Sequence, residues 1–194
     1  MSSGLEIVAE QLSRLVGAPV TLAFGLLLVV HIVAGLTCVI SGAMALLSKK
    51  QPGRHPAFGE VYYAALAVVF VTATGMAALR WTESAYLFVL GCIAFAFGSL
   101  GYTVRKRRWP GWLTVHMVGM SLSYIVLLTA FYVDNGPKLP LWDRLPTLAF
   151  WIGPSLIGLP FLVRSLRRYG RWQSDLRTSV SALRRGGRVN VLSH

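Results

Sequence analysis

Three histidines, His31, His55 and His116, are the side chains of this sequence whose type and position best suit chemistry in an apolar setting. Imidazole is the commonest protein ligand for metal ions and also binds haem iron. His31 lies in the apolar run "HIVAGLTCVI", where a polar group is costly and is normally paired or functional. The three histidines are therefore candidate ligands for haem b or a metal ion. The alternative is a neutral imidazole that hydrogen-bonds to a neighbouring helix, and no catalytic residue is predicted.

Small residues surround His31 at helical spacing. They share one predicted face with it: His31, Gly35, Cys38 and Gly42. Such a face lets a second helix approach closely, so His31 should point into a helix bundle and away from lipid. The third apolar stretch carries a similar stripe and is the expected neighbour of the first: Gly91, Ala94, Gly98 and Gly101.

His55 and His116 are expected at one end of the bundle. His55 precedes the second apolar stretch, and Pro56 predicts that it lies on a loop. His116 opens the fourth stretch and shares a face with Gly119, Met120 and Ser123, so it should point inward. These two histidines could share a site, with three polar side chains nearby: Glu60, Tyr62 and Tyr63.

His31 and His116 should lie at different depths. At 1.5 Å per residue they are about 15 Å apart across a hydrocarbon core of roughly 30 Å. Two axial ligands of one iron need helices in register, so this spacing argues against a single haem held between them. The C-x-x-C-H motif of covalently attached haem is absent from the sequence.

The elements that must position these histidines are predicted to be membrane-spanning helices. The chain of 194 residues is 55% hydrophobic and 13% charged, whereas soluble domains average about 25% charged residues. Five apolar stretches are each near the length that crosses a bilayer. They cover about residues 21–47, 61–79, 85–102, 112–132 and 146–163, with Pro154 and Pro160 predicting a kink in the last. The fold class is therefore an all-α, polytopic integral membrane helix bundle.

The charges predict the orientation of this bundle. The first loop, the third loop and the tail together carry 15 basic and 2 acidic residues, and the opposite side carries 4 basic and 5 acidic residues. By the positive-inside rule the amino terminus lies outside and the carboxyl terminus in the cytoplasm. The expected location is the bacterial inner membrane. The basic groups should contact anionic lipid headgroups, which accounts for the high pI without nucleic acid.

Three segments follow from this division. Residues 1–20 are predicted to form an amphipathic segment, residues 21–164 a five-span transmembrane domain, and residues 165–194 a basic cytoplasmic tail in which Trp172 and Leu176 share a helical side. Cys38 and Cys92 both lie in apolar runs, where small packing residues are expected and a disulfide is not.

Around the histidines the sequence resembles the bacterial predicted membrane proteins grouped as the domain of unknown function 2306 family. The resemblance rests on "HIVAGLTCVISGAMAL", "HPAFGEVYY" and "RKRRWPGWLTVHMVGMSLSY" and covers roughly residues 25–132. The chain differs from the family pattern at Pro56 and Glu60, where basic residues are frequent. The resemblance implies a multi-span bundle with His31, His55 and His116 as the functional residues, and it implies no reaction.

The function predicted from the residues is a membrane redox or metal-binding protein that holds haem b or a metal ion through histidine, with a possible redox or subunit partner in the membrane. Two alternatives stay open. One is a non-catalytic accessory or assembly protein in which the histidines are structural and no cofactor is bound. The other is a bundle that binds a lipid or quinone between its helices. Phosphate-binding loops, H-E-x-x-H and the nucleophile elbow do not occur in the sequence.

Overall fold

The computed structural model describes residues 22–48, 53–140, 142 and 144–189, together with Glu6, Val8, Glu10 and Gln11, which are helical. Side chains are described as far as Arg171. Five long helices follow one another in these ranges: α1 (Leu22–Leu47), α2 (Arg54–Leu79), α3 (Trp81–Arg107), α4 (Trp112–Asn135) and α5 (Thr147–Val189). A short 3₁₀ helix, Gly136–Lys138, follows α4. The described part of the chain contains no strand.

Consecutive helices run antiparallel, as their contacts show. On α1 and α2, His31 meets Thr72 near one end while Ala45 meets His55 at the other. The connections are short, since Arg80 alone separates α2 from α3. Tyr124 of α4 donates a hydrogen bond to the Val39 carbonyl, which closes α1–α4 into a four-helix bundle. Helix α5 packs on α4 at the edge of that bundle.

The core of the bundle contains a buried polar pair. Tyr62 and Ser123 are 2% and 0% exposed, and their hydroxyl groups are 2.8 Å apart. Around them pack Cys38, whose thiol lies 3.7 Å from the Tyr62 carbonyl, and Leu66. Because a buried hydroxyl without a partner is costly, this bond fixes the register between α2 and α4. Both cysteines of the chain are free thiols, as predicted.

Glycines make the closest helix contacts, but between different helices from those predicted. The Cα atoms of Gly101 on α3 and Gly119 on α4 are close enough that a Cβ at Gly119 would lie 3.0 Å from the Gly101 Cα atom and 2.8 Å from the Phe97 carbonyl oxygen. The glycine stripe of α3 therefore packs on α4, and the expectation that it packs on α1 is wrong. Helix α1 packs mainly on α2.

Not every small residue on the predicted faces touches a neighbour. A Cβ at Gly42 would collide with the Tyr124 ring, so this glycine does lie at a helix contact. A Cβ at Gly35 or Gly91 would meet nothing within 4 Å. Placing Gly35 and Gly91 at helix contacts was therefore wrong. Only part of each stripe is therefore covered by a neighbouring helix.

Four of the five helices are longer than the apolar stretches that predicted them, and in α2 and α5 the difference bears on a prediction. Helix α2 begins at Arg54, so His55 lies in its first turn, and the prediction of a loop is wrong. Proline is compatible with a first turn because the amide groups there have no intrahelical partner. Helix α5 continues through Pro154 and Pro160 into the basic segment as far as Val189, without a break at residue 164.

All five helices are long and apolar enough to cross a membrane. Their mean hydropathy is 1.4 to 2.5 over the most apolar 18 residues. Large apolar side chains cover the outside of the bundle, including Val33 at 61% and Leu36 at 60% exposure on α1. An apolar exterior around a polar pair is the arrangement expected of a bundle surrounded by lipid.

Candidate functional site: a histidine pair at the basic end

His55 is held by the end of the preceding helix. Its Nδ1–H donates a hydrogen bond to the Ala45 carbonyl oxygen at 2.8 Å. Ala45 lies in the last turn of α1, where carbonyl groups have no partner within the helix. The bond therefore satisfies one of these groups and fixes the plane of the imidazole. In a neutral ring whose Nδ1 carries the proton, Nε2 is the nitrogen with the lone pair.

His116 is held in the same way by α3. Its Nδ1–H donates to the Gly101 carbonyl oxygen at 2.9 Å. His116 and Gly119 share a face of α4, and the close approach of Gly119 to Gly101 brings the imidazole within reach of that carbonyl. The short α3–α4 connection ends at Gly111, whose φ of 70° is a conformation that favours glycine.

The structure brings these two histidines together. The ring centroids of His55 and His116 are 6.4 Å apart, and the ring planes are at 89°. Both imidazoles are partly exposed. Histidine ligands of metals almost always donate their second nitrogen to a carbonyl or carboxylate, which fixes the ring and the tautomer. Both members of the pair have this anchoring bond to a backbone carbonyl, so both are oriented as such ligands are.

His31 lies elsewhere. Its Nδ1 is 2.9 Å from the Thr72 hydroxyl oxygen, which is itself 2.8 Å from the Val68 carbonyl. Because the hydroxyl has a single proton and donates it to Val68, the imidazole Nδ1–H donates to Thr72. Thr72 follows His55 by seventeen residues on α2, which is about 25 Å along a helix. His31 therefore does not join the pair.

Three polar residues expected near the pair have other partners. Glu60 accepts a bond from Lys106 at 3.1 Å on the exposed surface. Tyr62 bonds to Ser123 in the core, and Tyr63 stacks on Tyr102 with ring centroids 4.2 Å apart. Among the described residues no group of three or more His, Cys, Asp or Glu side chains is placed to hold a metal ion.

The sequence reading missed the aromatic and basic groups beside His116. Trp112 lies one turn before His116, and the two ring centroids are 6.4 Å apart. The Arg108 guanidinium covers the Trp112 ring at 4.7 Å. Trp112 and His116 are four residues apart, and residues at this spacing share one face of a helix. Their contact could therefore have been predicted from the sequence.

Positive charge is concentrated at this end of the bundle. We call it the basic end and define it by five described residues: Arg54, Arg105, Lys106, Arg107 and Arg108. Arg54 precedes His55 directly, the residues 105–107 end α3, and Arg108 follows that helix directly. Glu60 is the acidic residue of the described chain at this end and is paired with Lys106.

Comparisons of the chain with protein-family models, curated proteins and solved structures found no match.

Proposed function

We propose that this chain is a multi-pass bacterial inner-membrane protein that binds a metal centre through His55 and His116, in a redox or metal-binding role. The observation that carries the proposal is the pair itself. Two imidazoles from different helices lie with their centroids 6.4 Å apart, each anchored through Nδ1 to a backbone carbonyl. The proposed membership of the domain of unknown function 2306 family rests on the three histidine motifs, and two of those three histidines form the pair.

The ring separation is compatible with one shared metal. A ring nitrogen is about 1.1 Å from its centroid and a metal ion about 2.0–2.1 Å further on, so two rings on one ion have centroids roughly 5 Å apart at a tetrahedral angle and roughly 6.3 Å apart on opposite sides. The observed 6.4 Å lies just above that range. This centroid distance supports the proposal that His55 and His116 bind one metal ion.

The proposed topology places the basic end in the cytoplasm. The residues in and beside the first and third connections and the carboxyl-terminal part of α5 carry most of the basic residues of the chain, and such residues remain on the cytoplasmic side during insertion. The amino terminus is then outside, and the metal centre lies near the cytoplasmic surface. Anionic headgroups are the proposed partners of the basic end.

A second candidate function is favoured by one observation. All three histidines bond to an oxygen atom of a neighbouring helix, so each also links two helices. In a non-catalytic accessory or assembly protein these bonds would serve packing alone. His31, whose partner is the Thr72 hydroxyl group and which lies apart from the pair, fits this structural role best.

Metal and haem analysis of purified protein separates the two functions. Wild-type protein from cells replete in iron and haem should carry a metal or haem. His55→Gln and His116→Gln should each lose most of it, because glutamine keeps a hydrogen-bonding group but is a poor ligand. His31→Gln is the matched control and should retain the metal. Wild-type protein without metal or haem would contradict the proposal, as would equal loss from all three variants.

A further inference from the structure

We infer that the metal centre at the histidine pair is a haem-type iron macrocycle with carboxylate side groups, bound between His55 and His116 with its carboxylates at the basic end. This inference rests on the proposed function and specifies its ligand. Three observations support it: the separation of the rings, the number of protein ligands that meet, and the sign of the surrounding charge.

The separation favours ligands on opposite sides of the metal. A centroid distance of 6.4 Å matches the value of roughly 6.3 Å expected for two trans imidazoles and exceeds the value of roughly 5 Å expected at a tetrahedral angle. Both rings are held through Nδ1 at 2.8 and 2.9 Å from backbone carbonyls. Shortening the distance would therefore require these two bonds to move. Trans ligation is the arrangement of two axial histidines on haem iron.

The number of ligands fits the same centre. A bare zinc ion takes three or four protein ligands, and a haem iron already has four nitrogens from the macrocycle, so two imidazoles complete its coordination. His55 and His116 are the two that the structure brings together. Space beside His55 is also available, since a Cβ at Gly59, one turn further along α2, would meet nothing within 4 Å.

The surrounding charge is positive, which suits an anionic ligand. The basic end presents five cationic side chains, and its one described carboxylate, Glu60, is paired with Lys106. A bare divalent cation would be repelled by this field, whereas carboxylates would be attracted. Arg108 covers the Trp112 ring, and Trp112 lies beside His116, so one guanidinium group of the basic end is linked to the histidine pair through a single aromatic ring.

Reconstitution with three probes tests the inference. The full-length apoprotein in lipid nanodiscs is titrated with haem b, with the dimethyl ester of haem b, and with Zn²⁺ alone. Haem b should give a low-spin spectrum that requires both His55 and His116, and the ester should bind more weakly.

Removing charge by Arg107→Gln together with Arg108→Gln should weaken haem binding roughly fivefold, since one exposed ion pair is worth about 1.4- to 5-fold in affinity. Arg144→Gln, an exposed arginine outside the basic end, should leave affinity unchanged.

The outcomes separate this inference from the proposed function. If Zn²⁺ binds at the pair and haem b does not, the macrocycle is excluded and the metal-binding function stands. If haem b and its ester bind equally and the arginine variants have no effect, the assignment of carboxylates to the basic end is wrong. If no probe binds in a way that depends on His55 and His116, the proposed function fails as well. Circular dichroism and size-exclusion profiles of each variant verify that it is folded.

Discussion

Adding a single methyl group at Gly119 should separate α3 from α4 and disturb His116. The new Cβ would lie 2.8 Å from the Phe97 carbonyl oxygen and 3.0 Å from the Gly101 backbone. Comfortable carbon–oxygen and carbon–carbon contacts are about 3.3–3.6 Å and 3.5–4.0 Å. The backbone atoms on both sides cannot rotate away, so the helices must move apart by roughly half an ångström or more.

The size of the effect follows from that displacement. When two packed surfaces move apart by 0.5–1 Å, each atom pair loses about a quarter to a half of its dispersion energy. Overpacking of this kind lowers the free energy of unfolding by about 1–3 kcal/mol. Replacing glycine by alanine in a helix also stabilises the folded protein by roughly 0.5–1 kcal/mol, because glycine loses more conformational freedom on folding. Gly119→Ala should therefore be destabilised by up to about 2 kcal/mol, and the bond from His116 to the Gly101 carbonyl should lengthen.

The control is Gly35→Ala, where a Cβ meets nothing within 4 Å. This variant should be as stable as the wild type or slightly more stable. Thermal unfolding in one detergent, followed by circular dichroism, measures both, and the metal content of the same samples reports on the histidine pair. Equal stability of Gly119→Ala and Gly35→Ala would refute the contact between α3 and α4.

Three further experiments test the packing of α1, the role of His31 and the topology. Gly42→Leu should reduce the yield of folded protein because Tyr124 fills the space beside Gly42, whereas Val33→Phe, on the exposed side of α1, should not; equal yields in a detergent-stability assay would show the face to be misassigned. His31→Gln should cost about 0.6 kcal/mol, the average of hydrogen bonds within membranes, and a loss of several kcal/mol in thermal unfolding would contradict a purely hydrogen-bonding role. Reporter fusions after Ser84 and Lys138 should report the outside and fusions after Lys50 and Arg108 the cytoplasm, and an outside signal after Arg108 would overturn the five-span topology.

The helices were predictable because each apolar stretch is long enough to cross a bilayer, and the structure has five such helices. Their ends were less predictable. A helix extends beyond its apolar residues at either end. The apolar stretch predicts that α2 starts at Val61, whereas the helix begins at Arg54. Hydropathy reports which residues tolerate lipid, whereas a helix continues as long as its backbone bonds are satisfied.

Helix partners could not be deduced from the small-residue stripes alone. The stripe on α3 predicted a close contact but not the helix that makes it, since a groove of glycines accepts any neighbour of suitable shape. The anchors of His55 and His116 left no sequence signal either. Both are backbone carbonyls, of Ala45 and Gly101, and every residue has one.

The central claim, in the form that the inferred haem-type centre gives it, is that His55 and His116 hold one iron between them. Electron paramagnetic resonance of the oxidised, purified holoprotein tests it most directly, because iron with two axial imidazoles is low-spin and its signal depends on the angle between the ring planes. The ring planes at 89° predict a strongly anisotropic low-spin ferric signal that is lost when either histidine is changed to glutamine. A low-spin signal that survives both His55→Gln and His116→Gln, or no iron signal in wild-type protein made under haem-replete conditions, would contradict the claim.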